Sequence, residues 1–155
     1  MTGRIEARLR ELNIVLPEPP LPLARYLPYR RSGNTLYVAG MVPVEGKTLP
    51  YRGKVGIDLD LAAGQSAARL CALNIMALVK HACAGDLDRV TACLRLAGYV
   101  NAGPDFTDHP QIINAATDVI VDVFGEAGAH ARMALGANSL PMNVAVEIET
   151  VWEVD

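Results

Sequence analysis

The chain is organised around Val144-Ala-Val-Glu-Ile-Glu-Thr-Val-Trp-Glu-Val154. Apolar residues take every even position from Val144 to Val154 except Thr150, while Glu147, Glu149 and Glu153 take odd ones. Side chains alternate across a strand with period two, so the segment predicts a β-strand with one apolar and one acidic face. A shorter run, Arg132 to Ala137, precedes it across a connection rich in Asn, Ser and Pro, which reads as a hairpin. With a turn near Ser139–Leu140, antiparallel pairing puts Arg132 opposite Glu147 on the same face. This is the one candidate polar constellation in an otherwise apolar chain. Its plainest reading is a cross-strand ion pair contributing at most about 1 kcal/mol.

A chain of 155 residues is one ordinary domain, large enough to bury a core without metals or disulfides. Half its residues are hydrophobic (51%) and a fifth are charged (20%), which excludes a disordered chain. The net charge of −3, with no basic run beyond Arg30-Arg31, argues against a nucleic-acid partner. Cys71, Cys83 and Cys93 form an odd set without Cys-x-x-Cys spacing, so reduced, buried thiols, no metal site and a cytoplasmic setting are expected. The N-terminus is rich in Arg and Glu, and no apolar run is read as reaching membrane length, so neither a signal peptide nor a membrane association is expected.

Ile5, Leu9 and Leu12 predict a short amphipathic helix over Arg4–Leu12. Leu16-Pro-Glu-Pro-Pro-Leu-Pro22 cannot continue it and predicts an extended arm. The segments Tyr26–Arg31 and Thr35–Ala39 flank Ser32-Gly33-Asn34 and predict a first hairpin. Gly40, at the end of its second strand, allows close approach by another chain or a ligand. A short strand is expected at Lys54–Ile57. Asp60 caps a helix running to about Ala84, with Ala67, Leu70, Cys71, Asn74, Leu78 and Ala82 on its packed face. Asn74 there reads as a satisfied core polar group. Asp88–Asn101 is β-rich, and a second helix runs from about Asp108 to Phe124, burying Ile113, Ala116, Ile120, Val123 and Phe124. The order ββ(β)-α-β-α-ββ predicts an α+β layer, with two main helices on one face of a mixed sheet. The acidic face then points away from the helices. Val151 and Ala145 would add apolar atoms there, the composition of an oligomer interface.

Several short patterns together resemble the Rid family (reactive-intermediate deaminases, also called YjgF-like and labelled endoribonuclease L-PSP). They are Arg132-x7-Leu140-Pro141 followed by Val144-x-Val146-Glu147-Ile148-Glu149, Pro28-Tyr29, Gly33-Asn34 leading to Ala39-Gly40-Met41-Val42-Pro43, Val100-Asn101 through Asp105-Phe106, and Ala72-Leu73-Asn74. The resemblance spans roughly Tyr26 to the C-terminus. Residues 1–25 look like a subfamily extension, and 26–155 like a single domain.

The resemblance implies a chorismate-mutase-like α+β fold, a homotrimer with sites between subunits, and no metal or organic cofactor. It also implies hydrolysis of 2-imino or enamine acids, such as 2-aminoacrylate, to 2-oxoacids and ammonia. Arg132 falls on the family's substrate-carboxylate arginine and Glu147 on its active-site glutamate. Tyr29 falls on the pocket tyrosine, Gly40 and Ala134 on positions offering backbone groups, and Asn101 on the turn before the second helix. A planar guanidinium matches a carboxylate with two parallel hydrogen bonds, and a glutamate can hold or deprotonate water. The chain departs from the pattern at Ala39, Met41 and Ala134, where the family often has a hydroxyl residue, glutamine and, in some members, cysteine. Two alternatives therefore stand beside the imine deaminase: a trimeric carboxylate-binding or regulatory protein without turnover and, more weakly, an endoribonuclease.

Overall fold

The computed structural model describes residues 3–20, 22 and 24–155. Leu21 of the proline-rich arm and Leu23 lie outside the described residues, as do Met1 and Thr2. The elements are α1 (Arg4–Glu11), β1 (Tyr29–Ser32), β2 (Thr35–Met41), α2 (Leu61–Ala82), β3 (Val90–Asn101), α3 (His109–Phe124), β4 (Ala131–Ala137) and β5 (Val146–Val154).

The five strands form one mixed sheet in the order β1-β2-β5-β3-β4, with α2 and α3 on one face. β5 lies between β2 and β3 and is antiparallel to both, so the alternating stretch becomes the centre of the sheet. Its even positions are buried, Thr150 included, and Glu147, Glu149, Val151 and Glu153 turn outward. Thr150 is tolerated in the core because its hydroxyl accepts a hydrogen bond from Trp152 Nε1 at 2.8 Å. The Trp152 ring packs on Phe124 at 5.4 Å, and truncating so large a buried side chain typically costs about 3–5 kcal/mol.

The helices follow their sequence signals. Asp60 caps α2 by accepting a hydrogen bond from the Ala63 amide at 2.8 Å. Asn74 is buried and donates to the Val44 carbonyl at 2.9 Å, a satisfied core polar group. α3 carries Pro at its start, and Ile113, Ala116, Ile120, Val123 and Phe124 are all buried. Gly98 of β3 is what lets α3 approach the sheet, since a Cβ there would lie 2.5 Å from Ile113 Cδ1. Cys71, Cys83 and Cys93 are buried and unpaired; burial pushes the Cys93 thiol up to about 12.

Four expectations are corrected. β4 does not form a hairpin with β5; it pairs in parallel with β3, as the return strand of the β3-α3-β4 crossover. Chain order suggested the hairpin, but a helix connecting two strands favours the parallel partner on the far side. Lys54–Ile57 is a turn touched by isolated bridges at Val55, not a strand. Ala145 is fully buried, with its amide donating to the Tyr51 carbonyl at 3.0 Å, so it adds nothing to the open face. Finally, α2 does have the length and hydropathy of a membrane span (22 residues, mean hydropathy 1.3). In this fold its apolar side chains are taken up by α3 and the sheet.

Candidate functional site

Glu147 is the charged group around which a site is built. It sits on β5 at the open face of the sheet, half-buried, opposite Tyr99 of β3. On its other side β2 carries one extra residue between Val38, paired with Thr150, and Met41, paired with Ile148. A bulge of this kind re-aims the chain locally. It presents Gly40 to the carboxylate so closely that a Cβ on Gly40 would lie 2.6 Å from Glu147 Oε1. The close approach expected at Gly40 is therefore made by a side chain of the same molecule. Burial raises the Glu147 pKa above its ordinary value, and the negative charge of Glu149 adds to the rise.

Beside this carboxylate lies a cavity of about 470 Å³, within the size range of small-ligand pockets. Ala39, Gly40, Met41, Val42, Val44 and Leu49 line it from β2 and the following loop, and Pro141 and Met142 from the turn before β5. Met142 and Asn143 both hold left-handed backbone conformations (φ 57°), uncommon for such residues. Arg52 Nε donates to the Met142 carbonyl at 3.0 Å and the Gly53 amide to the Asn143 carbonyl at 2.7 Å, fixing the turn. Asn101 supports the same turn from beneath. It is buried, donates through Nδ2 to the Val144 carbonyl and Asn143 Oδ1, both at 3.1 Å, and accepts from Lys54 Nζ at 2.9 Å. Its polar groups are committed to protein partners, which makes it a strut behind the cavity wall.

Arg132 is elsewhere. It lies on the edge strand β4 opposite Leu96, a fully buried residue, so it shares the helix-bearing face. Two strand spacings and three residue steps separate it from Glu147, roughly 14 Å between their Cα positions, on opposite faces of the sheet. The expected side-by-side pair does not exist within one chain. Arg132 Nη1 instead donates to Asn114 Oδ1 at 2.7 Å and Thr117 Oγ1 at 3.2 Å, both on α3. Thr117 in turn meets His130 Nε2 at 3.1 Å, and the Gly128 carbonyl accepts from His130 Nδ1 at 2.7 Å. That carbonyl fixes the ring proton on Nδ1, leaving Nε2 to accept from the Thr117 hydroxyl. Burial lowers the His130 pKa and the Arg132 charge lowers it further, against the opposing bond to Gly128. The result is a directed chain that holds the guanidinium.

Ala134 lies two residues along β4, opposite Gly98 and against the core. Tyr29 points to the helix layer, where its hydroxyl meets His81 Nδ1 at 2.8 Å. The aromatic residue that does line the Glu147 cavity is Tyr26, together with Pro20 and Pro22 of the arm. Sequence reading missed it because no local pattern records where an extended arm docks. Among the described residues no cluster of His, Cys, Asp and Glu could hold a metal ion.

A mixed five-stranded sheet with two helices on one face is the YjgF-like, chorismate-mutase-like architecture. The chain matches the family described as "YjgF/chorismate mutase-like, putative endoribonuclease" over residues 6–153, and it belongs to that family, the one its sequence motifs resemble. It is 39% identical to Protein TCP17 of Trypanosoma cruzi over 155 residues, covering 99% of this chain and 96% of that protein. The crystal structure of Atu1372 from Agrobacterium tumefaciens, a protein of unknown function, superposes with a TM-score of 0.90 at 45% identity, covering 97% of this chain and 92% of that one. E. coli TdcF with bound serine shares the fold at 20% identity and a TM-score of 0.62, covering 88% of this chain and 93% of that one.

Proposed function

We propose that this protein hydrolyses 2-imino acids and their enamine tautomers to 2-oxoacids and ammonia, as a homotrimer whose sites lie between subunits. In this reading residues 26–155 form the catalytic domain, and the described ones among residues 1–25 a strap upon it. The observation that carries it is Glu147, a half-buried carboxylate of raised pKa held over Gly40 at the wall of a ligand-sized cavity. Among the described residues no guanidinium of the same chain lines the cavity, and Arg132 stands on an edge strand with its head group oriented by α3. A second copy brings the two together. The apolar and charged groups of the open face, Tyr37, Val151 and the Arg95–Glu149 pair at 2.9 Å, suit burial against another copy.

The chemistry needs little beyond orientation. Arg132 holds the substrate carboxylate through two N–H donors. Glu147 takes a proton from water as its oxygen bonds to C2 of the imine, and passes it to the nitrogen, onto which the C=N electron pair has moved. The carboxylate then takes the hydroxyl proton of the carbinolamine and gives it to the same nitrogen as the C–N bond breaks, so that the carbonyl forms, ammonia leaves and Glu147 is again ionised. Backbone groups at Gly40 and Ala134 complete the carboxylate cradle, with Tyr29 and Asn101 supporting its walls. TdcF, with its bound serine, supports an amino-acid-sized ligand for the fold.

The family description also names endoribonuclease activity. Among the described residues no histidine lines the cavity, and a net charge of −3 disfavours a polyanion. The test is release of 2-oxoacid and ammonia when an amino-acid oxidase generates imines in the presence of the purified protein. Acceleration above spontaneous hydrolysis is expected. No acceleration with any imine, alongside retained binding of 2-oxoacids, would make this a carboxylate-binding protein without turnover.

A further inference from the structure

We propose that the proline-rich arm is the selectivity wall of the Glu147 cavity, and that it selects ligands carrying a large apolar side chain. The proposal rests on the reading of that cavity as the imino-acid site. Three arm residues, Pro20, Pro22 and Tyr26, line the same space as Glu147. Among the described residues, the only other charged lining group is Lys47. The remaining wall is apolar, so the cavity offers charge recognition to one part of a ligand and hydrophobic burial to the rest.

The arm is fastened before and after this wall. At the front, Asp88 accepts hydrogen bonds from the Arg4 and Ile5 amides, both at 2.7 Å, holding the start of α1. Arg8 Nε donates to the Asp122 carbonyl at 2.9 Å, and Glu6 pairs with Lys80 at 2.7 Å. Leu16 to Pro19 then follow the C-terminal end of α2 past Ala77 and His81. Behind the wall, the Tyr29–His81 hydrogen bond pins the entry into β1. Prolines with fixed φ add stiffness, so little entropy is lost when a ligand settles against them. A wall built this way is preorganised. The apolar side formed by Pro20, Pro22, Tyr26, Val42, Val44 and Leu49 favours burial of a branched aliphatic or aromatic group over a methyl.

The experiment compares wild type, Tyr26→Ala and Pro22→Gly in two readouts. One is kcat/KM for leucine-derived against alanine-derived imine, and the other is binding of 4-methyl-2-oxopentanoate against pyruvate by calorimetry. Wild type should prefer the larger member in both, and each variant should lower the preference about fivefold or more, the scale set by a few methylene contacts. Wild type lacking turnover yet binding the larger 2-oxoacid in an arm-dependent way would sink the imine reading and leave this inference standing. Turnover with no preference for the larger imine, or a preference unchanged in both folded variants, would overturn it. So would failure of the wild type to bind either 2-oxoacid.

Discussion

Gly40 and Glu147 fit together so closely that any side chain on the first displaces the second: the added Cβ would sit 2.6 Å from Oε1. The glycine is required by contact rather than by backbone conformation, since it is absent from the glycines with positive φ. Gly40→Ala should therefore leave the fold intact and move the carboxylate. We expect at least about a tenfold loss of imine turnover, a misplacement effect on the reacting group. Turnover kinetics with a check of thermal stability measures both.

The raised pKa of Glu147 sets a pH dependence. A proton-accepting carboxylate must be ionised, so turnover should rise with pH along a limb lying above the ordinary carboxylate range. Glu147→Gln should remove that limb and lower kcat more than it raises KM, because shape is kept and proton handling is lost. A pH–rate profile of the two proteins is the check. An unchanged limb in the glutamine variant would assign the proton step to another group.

Asp88 links acidity to the strap. The hydrogen bond from the Ile5 amide, helped by the Arg4 amide and charge, holds its pKa below the usual value against the opposing effect of burial. A depressed folded pKa means the stabilisation is complete above the unfolded value, near pH 4, and is lost as pH falls through the lower folded value. Hydrogen exchange at the Arg4 and Ile5 amides, corrected for the pH dependence of intrinsic exchange, should stay protected from pH 5 to 8 and lose protection in strong acid. Asp88→Ala should lose it throughout.

Thr117 stands between Arg132 and His130 as acceptor to one and donor to the other. Thr117→Val keeps the volume and breaks the chain. The guanidinium retains Asn114, so the expected cost is about 1 kcal/mol, read as a several-fold rise in KM with kcat nearly unchanged. A variant with unaltered KM would leave the hydrogen-bond chain a purely structural feature of α3.

Much of this architecture was legible because local physics and tertiary environment agree. The period-two run of β5 named its buried face residue by residue, and even Thr150 obeyed it by serving the Trp152 indole. The stripe of α3 and the cap of α2 were readable for the same reason. Strand partnership was not. Nearness in sequence favoured a β4–β5 hairpin, whereas the crossover through α3 set β4 beside β3 and put Arg132 on the face opposite Glu147. The wall was equally hidden. Tyr26 lies three residues before Tyr29, the residue the Pro-Tyr motif marks, and only the docked arm brings it to the cavity.

The proposed site joins Arg132 of one copy to Glu147 of another. Co-assembly of Arg132→Ala with Glu147→Gln, purified through two different tags, tests it most directly. Each variant alone should be nearly inactive while remaining folded and oligomeric. In a closed trimer every doubly tagged oligomer, of either composition, holds one native pair among its three sites, so the selected protein should recover about a third of wild-type activity. Verified mixed oligomers with no activity above the separate variants would contradict a shared site.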